Sequence, residues 1–211
     1  MFFEPDGIYH IYNQGNNRQK IFFCKENYYY FLRKIRIHLL PYADLLAYCL
    51  MPNHFHLMVE VKFTAISSDL NRLPPSDPSP VLPPGHLITL NSSLGIMLRS
   101  YTRGINKQQL RSGSLFREGT KALCLNKPLK NIPLWYIKEG VTHLHSEFAE
   151  LSWLSNCLDY IHQNPVAAGI AKKPQDWTFS SIHAYAGNND NDLVNFERTL
   201  FLTGCSTDTS G

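Results

Sequence analysis

The sequence is short of several things, and each shortage narrows what it can be. No apolar run is long enough to span a bilayer, and the opening residues, MFFEPDG, lack a basic stretch followed by an apolar core. Neither a membrane protein nor a secretory signal is expected. Cysteine is sparse and odd in number: five residues, Cys24, Cys49, Cys124, Cys157 and Cys205, widely spaced and without a C-x-x-C pair. That argues against a disulfide framework and for a reduced cytoplasmic protein whose thiols act mostly as small hydrophobes. A strong excess of one charge is missing too. Twenty basic residues against 17 acidic leave +3, which permits a nucleic-acid partner without demanding one. What is present is an ordinary globular balance, 44% hydrophobic and 18% charged over 211 residues, which excludes wholesale disorder and suits one domain with decorations.

Along the chain, GIYHIYNQG (7–15) alternates Ile8, His10 and Tyr12 against Tyr9, Ile11 and Asn13, predicting a strand that ends in the Gly15-Asn16-Asn17 turn. Tyr28, Leu32, Ile35 and Leu39 then recur at helical spacing up to Pro41. ADLLAYCLM (43–51) and HFHLMVEV (54–61) read as strands joined by a tight turn at Pro52-Asn53. A proline-rich loop, about 71–85, follows. Next comes a helix with Ile88, Leu94, Met97, Leu98 and Tyr101 on one stripe and Arg99, Arg103 and Lys107 on another. A fourth strand is expected over 114–125. A last helix should start near Val141 or Leu151 and end before Pro165. Strand, helix, two strands, helix, strand is the order of an α+β, ferredoxin-like split βαβ sandwich with an antiparallel sheet. We expect the domain to cover 1–187 and a polar tail, 188–211, to fray at its end.

His54 and His56 raise the functional question. Strand side chains alternate faces, so these two share a face with Met58 and Glu60, opposite the apolar Phe55, Leu57, Val59 and Val61. Two imidazoles roughly 6–7 Å apart along a strand suit a shared metal ion, although a lone H-x-H is a weak signal. Near the end of the last helix, Tyr160 and Asn164 lie one turn apart and so share a helix face. A phenol and a carboxamide could complete the constellation.

Together these stretches resemble the HUH single-tyrosine transposases, in particular the REP-associated tyrosine transposases. The resemblance rests on YHIYNQGNNRQKIF (9–22), YCLMPNHFHLMVE (48–60), GSLFREGTKA (113–122) and YIHQNPVAAGIAKKPQDWTFSSIHAY (160–185), in the family's order. It implies nicking and strand transfer on single-stranded DNA, with or without a hairpin. His54 and His56 would bind a divalent ion (Mg²⁺ or Mn²⁺), Asn164 would be the third ligand or a metal-side contact, and Tyr160 would be the nucleophile. The product would be a 5′-phosphotyrosine link beside a free 3′-hydroxyl, made by a monomer or homodimer. The chemistry is coherent: a free phenol titrates near pH 10, so attack on a phosphodiester needs electrostatic help, and a covalent intermediate keeps the bond available for rejoining.

Three departures from the family pattern concern DNA affinity and target choice more than nicking. Gln14 stands where many relatives carry arginine, the proline-rich loop looks inserted, and the stretch 125–150 is long. Arg18, Lys20, Arg99, Arg103, Arg117 and Lys121 are scattered basic residues that folding could gather into a DNA-facing patch. Glu60 could orient a histidine from behind, though a solvated carboxylate is the plainer reading. His10 reads as core packing, and His162 points away from Tyr160 round the helix. The competing readings are a domesticated hairpin-binding relative without nicking, a replication-initiator-type HUH nickase, and a hydrolase of small phosphates, which would have no need of Tyr160.

Overall fold

The computed structural model describes residues 1–67, 85–126, 135–138, 141–144, 149–186 and 192–204. The proline-rich loop and most of the long stretch after Leu125 lie outside the described residues. The elements in chain order are β1 (Ile8–Gln14), α1 (Lys25–His38), β2 (Ala43–Met51), β3 (His54–Val61), β4 (Ala65–Ser67), β5 (Leu87–Thr89), α2 (Leu90–Gln108), β6 (Lys121–Cys124), β7 (Trp135–Lys138), β8 (Val141–Leu144), α3 (Ala149–Ala167), α4 (Ile182–Tyr185) and α5 (Phe196–Thr203). Among the described residues no helix is long and apolar enough to cross a membrane.

The main sheet runs β2–β3–β1–β6, with every neighbouring pair antiparallel. The units β1-α1-β2 and β3-α2-β6 interleave in it, which is the ferredoxin-like arrangement the element order predicts. Met51 lies directly opposite His54, so Pro52 and Asn53 alone make the turn between β2 and β3. Phe55, Leu57, Val59 and Val61 face α1 and α2, packing with Phe31, Ile35, Met97 and Tyr101. The opposite face is covered as well: Ile8, Leu46, Cys49 and Met58 pack with Leu154 and Ile161 of α3. Each fully buried side chain of this size contributes roughly 1.5–3 kcal/mol, so α3 is held firmly over the histidine face.

The free edge of β2 does not stay open. Backbone N–H groups of Leu50, Ser181 and Asn195 bond to the carbonyls of Phe179, Tyr48 and Leu45 at 2.9, 2.9 and 2.8 Å, which hides polar groups that would otherwise invite another strand.

Four expectations change. Ile88 lies in β5 rather than on the α2 stripe, because Thr89 caps the helix by accepting from Ser92 N–H. Only Lys121–Cys124 of the fourth strand pairs continuously, with Phe116 making one isolated bridge to Gly15. Val141 begins β8, and the last helix begins at Ala149. Pro165 does not end that helix. Its ring costs one N–H, but the carbonyls of Asn164 and Pro165 find the N–H groups of Ala168 and Ile170, both at 3.0 Å. The chain turns at Gly169, whose φ of 67° lies in the left-handed region that glycine adopts without strain.

Candidate functional site

Register builds the site. Tyr12 pairs with His56 and Gln14 with His54 across β1 and β3, which puts His10, Tyr12, Gln14, His54 and His56 on one face of the sheet. α3 crosses that face and brings in Tyr160 and Asn164. The result is a cleft of about 340 Å³ lined by Tyr12, Gln14, His54, His56 and Tyr160, with Arg117 and Lys121 at its side. The loop carrying Arg117 is tied to β1. Asn13 Nδ2 donates to Arg117 O (3.2 Å) and to Thr120 Oγ1 (2.9 Å), and Arg117 N–H donates to Gln14 O (2.8 Å).

The polar atoms are oriented by their neighbours. Asn53 Nδ2 donates to Arg18 O at 3.3 Å, which turns its oxygen to His54 Nδ1, 2.6 Å away. A carboxamide oxygen only accepts. The proton of a neutral His54 therefore sits on Nδ1, and Nε2 presents a lone pair. On α3, Asn164 Nδ2 donates to Tyr160 O at 2.8 Å, so its oxygen faces the sheet. His54 Nε2 and Asn164 Oδ1 then meet at 3.4 Å as two acceptors with no proton between them. His56 Nε2 is buried and has no hydrogen-bond partner. His54 and His56 lie with ring centres 5.0 Å apart at nearly right angles.

Burial keeps these rings neutral. It lowers the pKa of His56 to about 3, helped by the neighbouring His10 and His54, and that of His10 to about 4. His54 is lowered by burial as well, with Asn164 acting in the opposite sense. Converging acceptors without protons are what a divalent cation would satisfy, so the residues fit one. Nitrogen ligands favour Mn²⁺ or later ions in raw affinity, whereas a carboxamide oxygen suits Mg²⁺ or Mn²⁺. Among the described residues no three His, Cys, Asp or Glu side chains gather as a metal cluster; the third donor here is a carboxamide.

Tyr160 stands at the mouth, 54% exposed, with its ring edge-on to His56 at 5.4 Å and to His10 at 5.9 Å. Tyr12, 37% exposed, lies nearly parallel to His56 at 5.9 Å. Of the basic residues, Arg117 and Lys121 reach the cleft, and both are exposed. Arg18 and Lys20 are exposed after β1 beside the Asn53 turn, outside the cleft lining. Arg99 and Arg103 are exposed on α2, which packs over the opposite face, so folding does not bring them to the cleft. Glu60 neither orients a histidine nor stands solvated. It is buried and bound by Arg198 of α5 through two bonds of 2.7 Å. His162 points away, to Ser181 Oγ at 2.8 Å.

Sequence reasoning left His10 out of the site. Its Nε2 lies 2.9 Å from His56 Nδ1. Alternation placed His10 with Tyr12, but the antiparallel register with β3 is what puts both on the histidine face.

Fold and cleft together define an antiparallel ferredoxin-like domain with a histidine pair and a tyrosine meeting on one sheet face. The fold is similar to that of a REP-associated tyrosine transposase whose structure was solved bound to a REP hairpin. The likeness has a TM-score of 0.53 at 14% identity and covers 92% of this chain and 87% of that one. No protein-family model matches the sequence, and no curated protein matches it.

Proposed function

We propose that this chain nicks and rejoins single-stranded DNA through a covalent tyrosine link, as a metal-dependent enzyme of the REP-associated tyrosine transposase kind. The observation that carries the reading is the meeting of His54 Nε2 and Asn164 Oδ1 at 3.4 Å as facing acceptors, one helical turn from the exposed Tyr160. His54, His56 and Asn164 would hold Mg²⁺ or Mn²⁺, which when bound supplies positive charge to polarise a phosphate and stabilise the transition state. Tyr160 Oη gives up its proton and attacks phosphorus, the P–O3′ bond breaks, and the 3′-oxygen takes up one proton to leave as a hydroxyl, so no proton is gained or lost overall. The tyrosine keeps the 5′-phosphate. Arg117 and Lys121, beside the cleft, meet the backbone of the strand, and Tyr12 offers an aromatic face to a base.

A DNA hairpin with a single-stranded foot is the expected substrate, by likeness to the hairpin-bound neighbour. The test uses such an oligonucleotide labelled at its 3′ end, because the covalent fragment is the downstream one. With Mn²⁺ the label should move to the protein on a denaturing gel and stay free when EDTA is added. Labelling that persists in EDTA would overturn the metal-dependent reading. Equal cleavage of a perfect duplex would overturn the choice of single strand.

A further inference from the structure

Resting on that reading of the site, we propose that His10 is a positioning residue. It accepts the Nδ1 proton of His56 and so turns the lone pair of His56 Nε2 toward the divalent ion.

The contact between His10 Nε2 and His56 Nδ1 is 2.9 Å, buried, and joins two different strands. Such an N···N contact carries one proton, and two arrangements are open. If His10 donates, His56 carries its own proton on Nε2, the buried atom that faces the site and makes no hydrogen bond there, and that nitrogen then has no lone pair to offer an ion. If His56 donates, Nε2 is left with a lone pair in the same place, beside the lone pair of His54 and the oxygen of Asn164. The first arrangement blocks Nε2 with a proton, and the second adds a third lone pair to the two acceptors that converge there. Only the second can hold a cation, so the bound ion selects it.

A histidine that binds a metal through one nitrogen commonly gives its other N–H to a carboxylate or a carbonyl. The carboxylate on this face of β3 is Glu60, and Arg198 holds both its oxygens. His10 stands in for it. His54 has its own counterpart in Asn53, so each of the paired histidines is oriented through Nδ1 by a different neighbour. Packing alone would not call for a polar ring at residue 10, since Ile8 serves on the same face of β1.

The tautomer can be read on the unmodified full chain. In long-range ¹H–¹⁵N spectra of the Mg²⁺-loaded protein labelled with ¹⁵N-histidine, His56 should carry its proton on Nδ1, and a proton on Nε2 would overturn the inference. The second readout is Mn²⁺ affinity by titration. His10→Leu keeps a packed side chain without an acceptor and should bind Mn²⁺ about 10–100-fold more weakly, with an unchanged thermal midpoint in the absence of metal. His10→Gln, whose carboxamide oxygen can accept, should recover most of that loss. Wild-type affinity in His10→Leu would overturn the positioning role. Failure of the wild-type chain itself to bind Mn²⁺ would instead overturn the metal reading of the site. The tautomer measurement needs no variant, so it decides the point even if His10→Leu does not fold.

Discussion

Tyr12 and Tyr160 both open onto the cleft, yet their surroundings differ. Tyr160 sits on α3 beside Asn164, whose amide is anchored to the Tyr160 carbonyl. Tyr12 lies flat along the histidine rings of the sheet. Tyr160→Phe removes one oxygen from a half-exposed ring, so folding and DNA binding should persist while the covalent adduct disappears. Circular dichroism and a band-shift assay on the same preparation check the first part, and the denaturing gel checks the second. Tyr12→Phe should still form the adduct; an adduct lost only in that variant would make Tyr12 the nucleophile. The double change His54→Ala/His56→Ala should remove Mn²⁺ binding by calorimetry, and unchanged affinity would place the ion elsewhere. At this scale the sequence was readable where spacing is local. The i, i+2 histidines and the i, i+4 Tyr160–Asn164 pair keep their relation in any strand and any helix. His10 was not readable in the same way, because its partner lies 46 residues away.

Elements were legible to the extent that one local rule governed them. Alternation marked β1 to β3, and a two-residue turn forced the β2–β3 register. Where two rules competed, the outcome depended on neighbours. Pro165 usually argues for a stop, but so close to a helix end it removes one bond and the backbone downstream replaces the rest. The short helix α5 shows the same dependence. The sequence reads this segment as part of a polar tail, and what it docks on was not legible: Arg198 reaches back to Glu60 of β3, 138 residues earlier. Arg198→Ala would leave a buried carboxylate without its partner and should cost about 1–2 kcal/mol, between the values for exposed and buried pairs. Urea unfolding measures it. Adding Glu60→Gln should recover part of the loss, because the stranded charge is gone. Strict additivity of the two changes would show that the pair is not coupled.

For the whole molecule the clearest consequence of burial is a dependence on pH. Burial lowers His10 and His162 to about 4 and His56 to about 3, against about 6.5 when unfolded. Above pH 6.5 both states hold these rings neutral, and stability should be flat with respect to them. As pH falls from 6.5 toward 4, the unfolded chain takes up protons that the native chain refuses. Each ring then removes about 1.4 kcal/mol per pH unit, with the effect levelling off below its folded pKa. Urea midpoints measured in EDTA should therefore fall steadily across that window. A flat profile between pH 6.5 and 4 would mean that the rings are solvated in the native state.

The strand and helix periods, the turn between β2 and β3, and the placing of two histidines and a tyrosine with its asparagine on single faces were determined by the sequence alone, because each depends on residues within a few positions of one another. Tertiary structure decided which faces meet. The order β2–β3–β1–β6 set His10 against His56, and α3 lying across that face brought Asn164 Oδ1 to His54. It also assigned Glu60 to Arg198 and left Arg99 and Arg103 on the far side of the sheet. The physical reason is that side-chain period is a local property of the backbone. Register, burial and the pKa values that follow from burial arise only when distant segments pack.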